Sequence, residues 1–171
     1  MLLPWEDPET GIRWSQNTTT FADARAHIAA RPDSAGTDAR KIMDVELSLI
    51  SERLQMRLPY LRGDKNDKRL AHEFLERLIA DGKNSFKRKV GTDYQVYSDA
   101  IAAWENADRL LVSWANRASH TFNLVAPEAT KLIDACEKAL EFFKCSACDK
   151  SVWFAETSNS FQCGCGELRW K

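Results

Sequence analysis

The chain has 171 residues, 44% of them hydrophobic and 29% charged, with 24 Lys and Arg against 25 Asp and Glu. That near balance excludes a general electrostatic attraction to nucleic acid, and no apolar run reaches the ~18–20 residues that would cross a bilayer. No signal-peptide pattern precedes the first predicted elements, so the expectation is a cytoplasmic protein, with no membrane partner and no disulfide framework.

Charge is uneven along the chain. Residues 59–91 carry nine cations against five acids, whereas residues 1–58 carry seven against nine. A basic stretch of this size fits RNA or DNA, or equally a solvated helix face.

Residues 1–19 hold Pro4, Pro8, Gly11 and a Thr-rich run with Trp5 and Trp14 between them, which reads as an extended arm. A short helix is expected over Phe21–Ala30, ended by Arg31-Pro32. After the loop Asp33–Gly36, Thr37 or Asp38 is expected to cap a long helix to about Leu58. Its core face is Met43, Leu47, Ile50 and Leu54, spaced by four, three and four. Pro59 ends it.

A third helix is expected over Asp67–Ala80, burying Leu70, Phe74, Leu75 and Leu78 and stopped by Asp81-Gly82. Lys83, Lys87, Arg88 and Lys89 mark the next connection. A fourth helix is expected from Asp93 to Ala118, with Tyr97, Ile101, Trp104, Ala107, Leu111 and Trp114 along one face. Pro127 suits the first position of a fifth helix to about Phe143. Cys136 lies on that helix's apolar stripe and reads as a buried thiol.

The most specific signal is at the C-terminus. Cys145 and Cys148 are separated from Cys163 and Cys165 by fourteen residues. Two short-spaced pairs at this distance are the pattern of one four-thiolate zinc site, because each tight turn can aim two sulfurs at the same point. The second pair is C-x-C, so its turn is expected to be one residue tighter. Val152–Phe154 and Phe161-Gln162 read as short strands, and Gly166 can supply a positive φ beside the sulfurs. Disulfides and a redox dithiol are the rival readings. Four cysteine ligands leave no position open for chemistry, so the zinc is expected to be single and structural. Trp153, Phe154 and Trp170 either pack against the helices or, if exposed, anchor a partner.

These elements predict a mainly α protein: an N-terminal arm and short helix over 1–36, a four- to five-helix bundle over 37–143, and a small β-hairpin zinc ribbon over 144–171.

One polar cluster stands apart. Asn116, Arg117 and His120 share a face if the fourth helix continues through them. An imidazole can shuttle the proton of an RNA 2′-hydroxyl, and a guanidinium can hold the phosphate. The competing reading is that they satisfy backbone groups where the helix ends. His27 and His72 sit singly in helical stretches, where a surface or satisfied role is expected.

A helical bundle with a short Asn/Arg…His motif before its last long helix resembles the HEPN superfamily. The resemblance covers about residues 37–171, and the run Trp114–His120, a helix, and Phe-x-Cys-x-x-Cys also looks like the C-terminal ends of some bacterial SMC-like or AAA-type ATPases. It implies an up-and-down bundle, frequent homodimers, and in many members metal-independent RNA cleavage by the arginine and histidine, here Arg117 and His120. It also implies a setting in phage defence, toxin–antitoxin pairs or repair, with a P-loop or SMC-like ATPase or an antitoxin as partner protein. The family's pattern has four to six residues between arginine and histidine, and this chain has two. The reading favoured here is therefore a non-catalytic binding or adaptor module that contacts a partner protein or nucleic acid. A HEPN-type ribonuclease is the alternative, and a transcription-type zinc-ribbon regulator the third.

Overall fold

The structure is a computed structural model that describes residues 19–60, 69–115, 124–156 and 159–170. Among these, five α-helices run in chain order: α1 Phe21–His27, α2 Pro32–Arg53, α3 Ala71–Ser85, α4 Ser98–Leu110 and α5 Ala126–Glu141. The end of α4 passes into a π-helical turn, Leu111–Ala115. Five strands complete the fold: β1 Phe86–Val90, β2 Asp93–Val96, β3 Trp153–Ala155, β4 Ser160–Gln162 and β5 Leu168–Trp170. No helix among the described residues is long and apolar enough to cross a membrane.

The expected fold class is corrected here. The β-structure is not a small C-terminal hairpin beside a bundle but one five-stranded antiparallel sheet, in the order β2-β1-β5-β4-β3. Two of its strands come from the middle of the chain. The basic stretch Lys87–Lys89 is therefore strand β1, not a connection, and Asp93–Val96 is strand β2, not the first turn of α4. The physical reason is a hairpin with a two-residue loop. Val90 pairs with Asp93, and Gly91 sits at φ +64°, a glycine in the first central position as a type II′ turn requires. Phe86 then pairs with Trp170 and Lys87 with Arg169, so the hairpin acquires a neighbour from the far end of the chain.

Two helix boundaries also differ from expectation. Helix α2 starts at Pro32 rather than Thr37, because proline fits the first turn, where its missing N–H costs nothing. Helix α3 runs through Gly82 to Ser85. Gly82 is no stop signal: a Cβ there would stand 2.8 Å from both Ile101 Cδ1 and Trp104 Cζ3. It is a contact point between α3 and α4. Gly36 serves α2 likewise, because a Cβ there would collide with Leu124 Cδ1.

Helix ends are satisfied locally and by neighbours. Thr20 and Asp23 form a reciprocal capping box on α1. Asp44 of α2 accepts from the Ala71 N–H at 2.6 Å and so caps α3 from another helix. Arg25 ties α1 to Asp134 and Glu137 of α5.

The main core joins all these parts. Trp104 of α4 stacks on Phe143 at 4.7 Å and 11°, and Phe86 of β1 lies 5.1 Å from Trp104 and 5.8 Å from Trp170 of β5. Trp104 Nε1 donates to Ala139 O at 3.0 Å, one of the last carbonyls of α5, where helix ends leave acceptors to be filled. Phe86, Trp104 and Trp170 are each at most 2% exposed. Cys145, Val152, Cys163 and Leu168 belong to the same continuous core as Met43, Leu75 and Leu132. The sheet is thus docked on the helices through its inner face.

Candidate metal centre

Helix α5 delivers the first cysteine directly. Phe143 is buried against Trp104, and Cys145 follows two residues later. The chain then makes a turn closed by Cys145 N–H to Lys150 O at 3.0 Å and Asp149 N–H to Cys145 O at 2.8 Å, with Asp149 at φ +55°. The second turn repeats this design. Cys163 N–H donates to Leu168 O at 3.0 Å, Gly166 N–H donates to Cys163 O at 3.0 Å, and Gly166 sits at φ +76°.

Both turns therefore span six residues, Cys145–Lys150 and Cys163–Leu168. The second reaches its second cysteine one residue sooner and spends one more residue after the left-handed position. The inner bond spans three residues in the C-x-C turn against four in the first, the one-residue tightening expected, while the outer closure is the same. Gly164, between the two cysteines, faces Lys150 Cδ and Trp153, whose nearest atoms would lie 3.0 and 3.6 Å from a Cβ. A bare backbone there lets the two turns approach.

The four sulfurs converge. Sγ atoms of Cys145, Cys148, Cys163 and Cys165 all lie within 4.8 Å of one another. Two of the pairs, Cys145–Cys165 and Cys163–Cys165, are 3.6 Å apart. A tetrahedron with ~2.3 Å metal–sulfur bonds has edges of about 3.8 Å, so the donor set fits a metal ion. It does not resemble a pair of disulfides, which would need sulfurs ~2.05 Å apart, and all five cysteines are free thiols in the structure.

Cys145 and Cys163 are buried, Cys148 is half-buried and Cys165 is exposed. Burial foremost pushes the Cys145 and Cys163 thiols up. Burial acts most strongly against ionisation of Cys148, but hydrogen bonds from the Lys150 and Cys165 N–H groups and from the Cys165 and Cys145 thiols together outweigh it and hold that thiol at about 6. Leu168 N–H points at Cys163 Sγ from 3.2 Å, the N–H···S contact that the glycine turn was expected to permit. A cation held at the centre would supply the charge that lets the remaining thiols ionise.

The other sequence-predicted residues divide cleanly. His27 Nδ1 lies 3.1 Å from Asp38, and His72 Nδ1 lies 2.8 Å from Asp108, so both are satisfied histidines. Cys136 is buried in the core, which pushes its thiol up and leaves it a packing residue. Asn116, Arg117 and His120, the candidate catalytic residues, lie outside the described residues, as do Trp5 and Trp14. Of the basic stretch over 59–91, residues 61–68 are also outside, Arg69 approaches Glu73 at 3.8 Å, and Lys83 pairs with Glu105 at 2.8 Å.

The ribbon aromatics do not act as a set. Trp170 is 2% exposed and packs on the helices, whereas Phe154 is 36% exposed and meets Phe161 edge-on at 5.2 Å. Trp153 is half-buried on the opposite side of the sheet, with Lys150 Nζ 5.6 Å from its ring centroid.

Sequence reasoning placed Lys87 and Lys89 in a connection and missed the sheet surface that they make with Tyr94 and Arg169. Its signal was Gly91-Thr92 between two short alternating segments, Phe86–Val90 and Asp93–Tyr97.

No protein-family model, curated protein or solved structure matches the chain. What the protein does must be read from an α-helical layer, an antiparallel sheet docked on it, and a four-cysteine centre at the sheet's end.

Proposed function

We propose that the chain is a binding module held in shape by one structural zinc ion, and that it works by presenting a surface rather than by chemistry at the metal. The observation that carries this reading is the convergence of four Sγ atoms within 4.8 Å on two turns of matching closure. Four thiolates complete a tetrahedral shell and leave no site for water or substrate. Such a donor set suits zinc or an iron–sulfur centre. One zinc needs only four sulfurs at a single point, whereas a cluster needs room for bridging sulfides.

The metal's contribution is mechanical. It fixes both turns, and the second turn leads straight into β5, the strand that joins β4 to β1. The ion therefore holds together a sheet whose strands β3, β4 and β5 are only three residues each, too short to persist alone.

The test is metal analysis of purified protein together with X-ray absorption at the metal edge. One zinc per chain with four sulfur neighbours at about 2.3 Å is the expected result. Iron, or zinc with nitrogen or oxygen neighbours, overturns the assignment. A parallel assay with labelled RNA checks the non-catalytic part. Cleavage present in the native chain and abolished by His120→Ala would replace the binding reading with a ribonuclease.

A further inference from the structure

We propose that the outer face of the five-stranded sheet is a binding surface for single-stranded nucleic acid. The inference rests on the reading above, that the chain presents a surface, and adds which surface and which ligand.

Side chains alternate across a strand, and residues directly opposite on antiparallel strands share a face. The observed register therefore assigns every strand residue. Phe86, Leu168, Trp170 and Phe161 share the inner face, which packs on the helices at its centre and is exposed at its ends, at Arg88, Val90 and Phe154. Lys87, Lys89 and Tyr94 share the outer face with Arg169, Gln162 and Trp153, and with the exposed apolar Val96 opposite Lys87. None of the strand residues on that outer side is acidic, although the chain as a whole carries one more acid than base. Glu167 borders the face at the end of β5, where its carbonyl accepts the Lys89 N–H at 2.8 Å. Lys89 is exposed, and Lys87, Tyr94, Arg169, Gln162 and Trp153 are half-buried.

The chemistry alternates planar groups with cations. The Arg169 guanidinium stacks over the Tyr94 ring at 4.1 Å, and Tyr94 Oη is pinned by a 2.7 Å hydrogen bond to Gly166 O. That stack presents a rigid, flat, positively charged plate. Beside it, Gln162 lies opposite Arg169 on the neighbouring strand and adds an amide to the same face. Trp153 provides a second ring on the metal side of the sheet.

Bases stack on aromatic and guanidinium planes and hydrogen-bond with amide side chains, while lysines meet the phosphates. An acidic protein segment would satisfy the lysines but not the plates. A duplex keeps its bases stacked on each other and unavailable to them. Three cations contacting a single strand predict a slope of about −2 in log affinity against log salt.

The experiment uses the full zinc-loaded chain and fluorescence anisotropy at low salt. The probes are labelled oligouridylate, oligothymidylate, a mixed-sequence duplex and polyglutamate. Single strands are expected to bind, with RNA and DNA distinguished by the first two probes, and more tightly than the duplex or polyglutamate. Lys87→Glu with Lys89→Glu is expected to weaken binding at least about tenfold, and Trp153→Ala by about five- to a hundredfold. Absence of single-strand binding overturns the proposal. So does equal binding by the charge-reversed variant, or preference for duplex or polyglutamate. Zinc content and thermal melting are measured on the same samples. A chain with one zinc and native melting that does not bind sinks this surface alone, whereas a chain without zinc sinks the structural reading beneath it.

Discussion

The two faces of the sheet differ as much as two surfaces of one element can. Along β1, Phe86 enters a cluster with Trp104, Phe143 and Trp170, while Lys87, its neighbour in sequence, turns to the other side. Along β5, Trp170 is buried and Arg169 lies over Tyr94. The inner face is fixed by burial, where each large side chain contributes a few kcal/mol. The outer face is mostly polar and half-buried, and its Arg169–Tyr94 stack is tied to the Gly166 turn.

Substitutions should separate the faces by size of effect. Loss of the metal should be largest, because structural zinc sites contribute roughly 10–16 kcal/mol of apparent binding energy to folding. Cys145→Ser with Cys163→Ser is expected to abolish zinc binding and collapse β3–β5, read as lost metal content and altered near-ultraviolet circular dichroism. Trp104→Ala should follow at about 3–5 kcal/mol, since it removes the ring between Phe86 and Phe143 and leaves Ala139 O without its donor; chemical denaturation checks this.

Gly82→Ala tests the helix contact beneath the sheet. An alanine gains about 1 kcal/mol in helix propensity, yet its methyl would stand 2.8 Å from Trp104. The expected net result is destabilisation by about 1–2 kcal/mol. An increase in stability would mean that the α3–α4 contact yields easily.

Asp44 gives a pH-dependent comparison. Burial above all raises its pKa, against the opposing hydrogen bond from Ala71 and the nearby Arg40. A carboxyl whose folded pKa exceeds its unfolded value stabilises the fold in its neutral form. That contribution is present below the unfolded value and is lost as pH rises through the folded one. Asp44→Asn, which keeps an acceptor for Ala71, should leave stability at pH 7 equal or slightly higher and remove the decline just above the ordinary carboxylate range. Asp44→Ala strands the Ala71 N–H and should cost about 1–2 kcal/mol. Smallest of all, Lys89→Ser on the outer face should change stability by less than about 0.5 kcal/mol.

Local sequence made some of this legible. The four cysteines could be grouped because each pair lies within a single turn, and the apolar stripes of α2, α3, α4 and α5 repeat at helical spacing. The sheet was another matter. Phe86–Val90 is five residues long, three of them basic, so charge hid a strand whose partner, Trp170, lies at the other end of the chain. Gly82 looked like a helix stop because glycine usually disfavours helices; only the packed Trp104 ring explains it. The Asn116, Arg117 and His120 cluster remains a reading of sequence, outside the described residues.

The central claim is that the metal-bound ribbon and the helical body share one sheet, with β5 as the link. Backbone amide hydrogen exchange on zinc-loaded and chelator-treated protein tests it most directly. The account predicts that removing zinc deprotects β4 and β5 and also β1, including the Lys89 amide bonded to Glu167 O, while the interior of α5 stays protected. Unchanged protection of β1 after chelation would contradict it and make the ribbon an independent appendage.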